Sequence, residues 1–131
     1  MSRTGFTNVL IVDDDKSTRR LHELALEEAA KGSGHTLLLT TSPSAVDARA
    51  HLVRGKKDFN LIILDGNLRD GSFSDVIEDT PLGNAKVCVI SNSPKTVETA
   101  KQHDSVHFAE KKPFDFDDTV NLFTRIIETL N

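Results

Sequence analysis

Short apolar runs alternate along the chain with longer stretches in which apolar residues recur at helical spacing. This alternation is typical of a parallel sheet with helices packed on both of its faces. The predicted strands are about Asn8–Val12, Thr36–Thr40, Leu61–Leu64, Lys86–Ile90 and Val106–Lys111. The predicted helices are about Ser17–Lys31, a helix opened by Ser42-Pro43-Ser44 that ends near Arg54 and is followed by Gly55, then Ser74–Asp79, Lys95–His103 and Phe116–Leu130.

Apolar residues also indicate which faces of these elements are buried. The third strand is apolar on both faces, as a central parallel strand should be, whereas the alternating second strand suits a sheet edge. The first helix is expected to turn one stripe inward, formed by Leu21, Leu24, Ala25 and Ala29. The last helix is expected to pack through a second stripe, formed by Phe116, Val120, Phe123, Ile127 and Leu130, with Phe116 and Phe123 inside.

Charged and hydroxyl side chains follow the ends of four predicted strands. Asp13 and Asp14 follow the first strand, Asp65 follows the third, Ser91 the fourth, and Lys112 the fifth. The carboxyl ends of parallel strands point the same way, and open α/β sheets bind ligands at that edge. We therefore expect these side chains to converge on one site if their strands are neighbours.

The chemistry of such a site follows from its charges. Three neighbouring carboxylates repel one another, and oxygen-only ligands favour Mg²⁺, which uses one or two carboxylates and keeps several waters. A carboxylate held beside Mg²⁺ and a lysine can attack phosphorus and form an acyl phosphate. The cation and the lysine would then stabilise charge on the transferring oxygens.

Composition limits the remaining classes of function. The 131 residues suit one domain, 37% are hydrophobic, and a net charge of −4 argues against a nucleic-acid surface. No apolar run approaches the ~20 residues of a membrane span, and the first residues lack the apolar core of a signal peptide. Cys88 is the single cysteine and lies in an apolar run, so we expect a buried hydrophobe and a cytoplasmic protein.

Several of these residues have simpler interpretations. Asp13 or Asp14 could cap the first helix, where acids are favoured, and Asp15 is expected to be that cap or a solvated acid. Ser91 alone could be an ordinary loop serine. Lys111 is expected to be a solvated charge, although it competes with Lys112 for the same role. The five histidines show no metal-ligand spacing, and we expect surface or edge positions for all of them.

Four motifs stand in order at the strand ends: Val12-Asp13-Asp14, Leu64-Asp65-Gly66-Asn67-Leu68, Ser91 and Lys112-Pro113-Phe114. Each motif alone is weak, but together they resemble the receiver domain of two-component response regulators over nearly the whole chain. The resemblance implies a flavodoxin-like, doubly wound sheet of five parallel strands in the order 2-1-3-4-5, with helices on both faces. It also implies that residues 1–131 form a single receiver domain without an output domain.

The resemblance assigns a role to each residue of the acidic group. Asp65 would be the phosphoacceptor, while Asp13 and Asp14 would hold Mg²⁺. Asp65 itself and the backbone carbonyl of Asn67 would be further metal ligands.

The same resemblance assigns the remaining motif residues and the partners. Lys112 would pair with the phosphoryl group or the acceptor carboxylate, and Ser91 would be the switch hydroxyl that turns toward the phosphoryl oxygen. The Lys112–Pro113 bond would be cis. A histidine kinase or a histidine phosphotransfer protein would donate the phosphoryl group, and a downstream partner would bind the face formed by the fourth helix, the fifth strand and the last helix.

Four positions depart from the pattern of that family. Arg69 stands where proline is usual, Phe73 where glycine is usual, and Asn92 where a small residue is usual. Ala109 replaces the aromatic ring that normally rotates with the switch hydroxyl, while Phe108, one place earlier, lies on the opposite face of its strand.

These departures leave alternatives to a phosphorylation switch. One is a pseudo-receiver, a binding module that keeps the fold and does not switch by phosphorylation. Another is a Mg²⁺-dependent phosphohydrolase, which would need a positioned general acid-base and a substrate cap. The sequence supplies neither of these two features, so we expect a signalling domain and not an enzyme.

Overall fold

The computed structural model describes residues 6–54 and 58–130, and its strands and helices alternate as predicted. In chain order the elements are β1 (Phe6–Val12), α1 (Lys16–Ser33), β2 (Thr36–Ser42), α2 (Ala45–Arg54), β3 (Leu61–Asp65), β4 (Asn67–Leu68), β5 (Gly71–Ser72), α3 (Phe73–Ile77), β6 (Lys86–Ser91), α4 (Pro94–Lys101), β7 (Phe108–Lys111) and α5 (Phe116–Glu128). The expected helix stop at Gly55 lies outside the described residues.

Five of the strands form one parallel sheet in the order β2-β1-β3-β6-β7. This is the predicted order 2-1-3-4-5, because β4 and β5 pair only with each other, as a short antiparallel hairpin. The strand β2 is an outermost strand of the sheet, as its alternating pattern indicates. The carboxyl ends of all five strands lie on the same side of the sheet, which we call the sheet edge, and the predicted site residues directly follow these strand ends.

The sheet separates two cores, and alternate residues of each strand face opposite cores. In β1, Val9 and Ile11 pack with α1 and α5, whereas Leu10 and Val12 pack with α2, α3 and α4. The central strands β3 and β6 repeat this alternation with fully buried aliphatic residues. Cys88 in β6 is fully buried and burial raises the pKa of its thiol, so the expected structural role is confirmed.

The buried stripe of α1 differs from the predicted one. Leu24, which was expected to face inward, is 41% exposed, whereas His22 is only 3% exposed. The helix instead buries a neighbouring stripe at the same spacing, made of His22, Ala25, Leu26, Ala29 and Ala30. The predicted and observed stripes share Ala25 and Ala29, so helical periodicity alone did not distinguish them. The expectation of a surface or edge position for every histidine is therefore wrong for His22.

One end of the predicted α5 stripe is also wrong. Phe123 is fully buried as expected, but Phe116 is 38% exposed. Phe116 is the first residue of α5, directly after the loop that leaves the sheet edge, so its ring extends past the core. The residues that α5 buries are Thr119, Leu122, Phe123, Ile126 and Ile127.

Three local expectations need correction. The third helix begins at Phe73 and ends at Ile77, because Asp75 accepts the Ser72 N–H and starts the helix one residue earlier. The last strand begins at Phe108, since the Val106 N–H is used in a turn at the end of α4. No cis peptide bond occurs among the described residues, so the Lys112–Pro113 bond is trans, the form that proline still prefers.

Candidate functional site

Backbone hydrogen bonds extend the sheet just past its strand ends and fix the residues of this edge. The Gly66 N–H, directly after Asp65, donates to the carbonyl of Ile90 at 2.9 Å. The Lys112 N–H donates to the carbonyl of Ser91 at 3.0 Å. The acid, the hydroxyl and the lysine are therefore held in register by the sheet itself.

Three carboxylates meet at this edge. Asp13, Asp14 and Asp65 each offer one oxygen, and these oxygens all lie within 4.8 Å of one another. Asp13 is 1% exposed and Asp65 is 8% exposed, whereas Asp14 lies at the rim. Asp13 and Asp65 are 52 positions apart in the sequence. They come together because the strands that they follow, β1 and β3, are neighbours in the sheet.

Lys112 supplies a positive charge between the two buried acids. Its Nζ lies 3.4 Å from Asp13 Oδ2 and 3.6 Å from Asp65 Oδ2, and the side chain is 19% exposed. Lys111, the competing candidate, is the last residue of β7 and is exposed. Adjacent residues of a strand point to opposite faces, so only one of these lysines can face the acids.

Burial raises the pKa of both inner carboxyls. For Asp13 the main cause is the loss of solvent, opposed by the Asp15 N–H that donates to Asp13 Oδ1 at 2.8 Å and by the charge of Lys112. For Asp65 the pKa is raised for the same reason, opposed by the Asn67 N–H at 3.2 Å from Oδ1 and by Lys112. The folded chain therefore holds two carboxylates whose charge is not fully compensated.

A cation would relieve this imbalance. Among the described residues, Asp13 Oδ2 is buried without any hydrogen-bond partner, since the nearby Lys112 Nζ makes only an ion pair with it. A buried polar atom without a partner is unfavourable. Three clustered carboxylate oxygens, one of them buried without a hydrogen bond, fit a hard divalent cation such as Mg²⁺, which prefers oxygen ligands.

Asp15 has a different role from its two neighbours. Its carboxylate accepts the N–H groups of Ser17 and Thr18 at 2.9 and 3.3 Å, and these bonds lower its pKa. It is thus the N-cap of α1, which is one of the two roles expected for it. Because Asp15 fulfils the capping role, Asp13 and Asp14 are left to the acidic cluster.

The hydroxyl of Ser91 is buried and already has two hydrogen bonds. Its Oγ donates to Asn67 Oδ1 at 2.9 Å and accepts from the Ser93 N–H at 3.0 Å. Ser93 in turn caps α4 by accepting from the Thr96 N–H. The predicted role of Asn67 as a metal ligand used only its backbone carbonyl, and the hydrogen bond between its side chain and Ser91 was not predicted. The available signal was an amide placed two residues after the candidate acceptor.

The β4–β5 hairpin is tied to both the acidic cluster and α2. The Arg69 N–H, in the turn of the hairpin, donates to Asp14 Oδ2 at 2.8 Å. Asp70 accepts the N–H groups of Ala45 and Val46 at 2.8 and 3.1 Å, which lowers the Asp70 pKa and caps α2. Neither contact was predicted, although an acid beside a turn glycine is a known turn signal.

Gly66 allows α4 to pack closely over the acceptor strand. A Cβ atom at Gly66 would lie 2.6 Å from Thr96 Cγ2 and 3.0 Å from Ser91 Cβ. Any side chain there would require the Thr96 methyl group or the Ser91 side chain to shift. The absence of a side chain at Gly66 therefore lets Thr96 and Ser91 approach the backbone next to Asp65.

The remaining departures from the expected pattern have visible structural consequences. Phe73 is buried and begins α3, with its ring edge-on to His103 at 6.0 Å between centroids. Asn92 is exposed at the rim. Ala109 is 9% exposed and packs in the core with α4, whereas Phe108 packs on the opposite face, so no ring lies beneath Ser91 on that strand face.

A separate cavity of about 700 Å³ lies at the opposite ends of the strands, where the chain enters β6 and β7. Its lining comes from the segments after α3 and α4 and includes Glu78, Thr80, Leu82, His103 and Asp104. None of the predicted site residues contributes to this lining. Within residues 6–54 and 58–130, no helix combines the length and apolar character needed to cross a membrane.

Solved structures resemble this fold over nearly its whole length. A two-component response regulator from Cytophaga hutchinsonii is 19% identical, with a TM-score of 0.69 over 94% of this chain and 98% of that one. The receiver domain of the response regulator PhyR from Erythrobacter litoralis is 23% identical, with a TM-score of 0.65 over 95% of this chain and 92% of that one. A de novo designed Rossmann 2x3 protein is 18% identical, with a TM-score of 0.63 over 95% and 91%.

The chain thus has the fold of response-regulator receiver domains, as the resemblance in its sequence implied. No protein-family model matches the sequence, and neither does any curated protein. Because a designed Rossmann protein shares the architecture, the fold alone does not determine an activity. Only the residues at the carboxyl end of the sheet can indicate the function of this chain.

Proposed function

We propose that this protein is the receiver domain of a two-component phosphorelay, with residues 1–131 as one phosphoacceptor unit and Asp65 as the acceptor. The observation that carries the proposal is the position of Asp65, with Lys112 Nζ 3.6 Å from its Oδ2 and two further carboxylates within 4.8 Å. A nucleophilic carboxylate, a lysine and a cluster of oxygen ligands are the groups that aspartyl phosphate chemistry requires.

The transfer forms one bond and breaks another. A carboxylate oxygen of Asp65 attacks the phosphorus of a phosphohistidine, and the phosphorus–nitrogen bond breaks as the imidazole leaves with its electron pair. Lys112 pairs with the phosphoryl oxygens as negative charge moves onto them. The phosphoryl group is lost when a water molecule attacks phosphorus and the bond between phosphorus and the Asp65 oxygen breaks, which releases inorganic phosphate and restores the carboxylate.

Asp13 and Asp14 are the residues that would hold Mg²⁺, together with Asp65 and the backbone carbonyl of Asn67. A bound Mg²⁺ would offset the carboxylate charge and that of an incoming phosphoryl group. The absence of a hydrogen bond to the buried Asp13 Oδ2 and the raised pKa of the Asp13 carboxyl support this assignment.

The proposed donor is a cytoplasmic histidine kinase or a histidine phosphotransfer protein. The proposed downstream surface is the face formed by α4, β7 and α5. Phe114, just past the lysine, is 96% exposed, and Phe116 at the start of α5 is 38% exposed. Two exposed rings beside the phosphoacceptor edge provide apolar contact area for a protein partner.

The test is incubation with a small acyl-phosphate donor, followed by measurement of intact mass. We expect a gain of one phosphoryl group that requires Mg²⁺ and is absent in Asp65→Asn. Asp58→Asn, at an exposed acid outside the cluster, should still gain the group. No gain in a protein shown to be folded would contradict the proposal.

A pseudo-receiver is the second candidate, and one observation favours it. Ala109 leaves no ring to move with Ser91, so the usual transmission of a switch is missing. Under this alternative the acids would remain unphosphorylated and the same faces would bind a partner constitutively. Equal partner affinity before and after treatment with the donor would support it.

A further inference from the structure

The Ser91 hydroxyl already makes two hydrogen bonds, and it can accept only one more. A hydroxyl has one proton to donate and two lone pairs that accept. The Ser91 proton is used on Asn67 Oδ1 at 2.9 Å, and one lone pair accepts the Ser93 N–H at 3.0 Å. A single lone pair therefore remains. To donate to a phosphoryl oxygen on Asp65, Ser91 must first release Asn67.

Asn67 is held by its backbone, while its side chain is exposed. The Asn67 N–H donates to Asp65 Oδ1, and the residue pairs with Ser72 in the β4–β5 hairpin. Its amide has an accepting end and a donating end of nearly equal shape. Half a turn about its last side-chain bond exchanges Oδ1 for Nδ2 at the same distance from Ser91.

We propose that the Asn67 amide is a reversible positioning group for Ser91, an inference that rests on the proposed phosphorylation of Asp65. Without a phosphoryl group, Asn67 Oδ1 accepts the Ser91 proton. With Asp65 phosphorylated, the amide turns, and Nδ2 donates to the free lone pair of Ser91 Oγ. The Ser91 proton then goes to a phosphoryl oxygen, and no covalent bond changes.

The energetic order of the hydrogen bonds favours this reversal. A hydrogen bond to a charged oxygen is roughly twice as strong as one between neutral groups. Ser91 therefore exchanges a neutral acceptor for a charged one, and the rotated amide keeps Ser91 Oγ fully bonded. Because Ala109 offers no ring, the amide provides the second half of the switch at the hairpin.

The experiment is side-chain amide NMR on the nitrogen-15-labelled full chain, with beryllium fluoride and Mg²⁺ as the phosphoryl probe. We expect the Asn67 Nδ2 resonances, assigned by their loss in Asn67→Ala, to shift downfield and exchange more slowly with water on saturation. The exposed amide of Asn121 on α5 is the matched control and should not respond.

A mutant cycle gives an independent measurement. Ser91→Ala should weaken probe binding about tenfold in the parent chain, as expected for a hydrogen bond to a charged group. In Asn67→Asp, whose carboxylate only accepts and cannot reverse, Ser91→Ala should change binding less than twofold. Comparison within each background removes the effect of the added charge.

The outcomes separate this inference from the proposed function. If the backbone amides of Asp65 and Lys112 respond to the probe while the Asn67 side chain does not, the positioning role is overturned and phosphorylation stands. Equal effects of Ser91→Ala in both backgrounds would also overturn it. If no amide at the site responds, the proposed function fails, and this inference fails with it.

Discussion

The backbone N–H of Arg69 donates a 2.8 Å hydrogen bond to Asp14 Oδ2, and the Arg69 guanidinium Nε lies 3.8 Å from the same oxygen. Proline, which the resemblance places at this position, has no N–H and could make neither contact. Arg69 therefore ties the β4–β5 hairpin to the acidic cluster and adds a cation that competes with any metal for Asp14.

Arg69→Ala should tighten Mg²⁺ binding, because it removes the competing charge and keeps the backbone hydrogen bond. The Arg69 side chain is 87% exposed, so the pair is weak and the expected change is about two- to fivefold in Kd. Titration calorimetry at low salt would measure it, and added salt should reduce the difference. Arg54→Ala, at the far end of α2, is the control. Equal affinities at low salt would contradict the prediction.

Asp65→Asn should stabilise the Mg²⁺-free protein at neutral pH by about 1 kcal/mol, because it removes a buried charge. The raised pKa of Asp65 means that the folded chain binds a proton on this carboxyl more tightly than the unfolded chain does. The corresponding stability is present below the usual carboxyl pKa of 3.8 and is lost as pH rises through the raised pKa of the folded state. Urea unfolding across that range would measure the difference.

The advantage of Asp65→Asn should shrink on acidification, as the parent carboxyl takes up its proton. Asp58→Asn, at an exposed acid, should show no comparable gain at any pH. A destabilised Asp65→Asn protein at neutral pH would mean that Lys112 compensates the buried charge fully.

His22 should make the protein sensitive to mild acid. It is buried against Phe123, with ring centroids 5.5 Å apart, and burial lowers its pKa from 6.5 to about 4. The unfolded chain therefore takes up a proton first, so stability present above 6.5 is lost as pH falls toward about 4. The full loss would be up to about 3 kcal/mol.

His22→Leu should remove this dependence, since leucine can occupy the apolar site and does not titrate. Chemical unfolding of both proteins at several pH values between 6.5 and 4 would measure it. His51→Gln, at a partly exposed histidine on α2, should keep the slope of the parent. Parallel curves for the parent and His22→Leu would exclude His22 as the cause.

Phe114→Ser should slow phosphotransfer from a histidine-phosphorylated protein more than phosphorylation by a small donor. The ring is 96% exposed, so its removal should change the free energy of unfolding by less than about 0.5 kcal/mol. A ring that anchors a partner can contribute about tenfold in affinity or more. Parallel rate measurements with both donors would test this. Equal slowing with the two donors would contradict the prediction, because it would show that the ring does not act through contact with the donor protein.

Pattern alone predicted the sheet and most of the acidic site. Runs of aliphatic residues defined five strands, and an acid, a hydroxyl or a lysine followed four of them. Parallel strands share one carboxyl end, so the meeting of Asp13, Asp65 and Lys112 followed once their strands were taken as neighbours, and that strand order was implied by the resemblance to receiver domains and not by the pattern. The capping role of Asp15 was also predictable, because it depends on the next two or three residues.

Contacts between elements distant in sequence were decided by the tertiary structure. The stripe of α1 that faces inward depended on how α5 packs against it, which buried His22 and exposed Leu24. The Asn67–Ser91 hydrogen bond required the hairpin after β3 to lie beside the end of β6. The amino-acid sequence by itself determined the elements and the edge that carries the charges, because these depend on periodicity and strand direction. Side-chain partners depend on the distances between packed elements, and only the folded chain determined those distances.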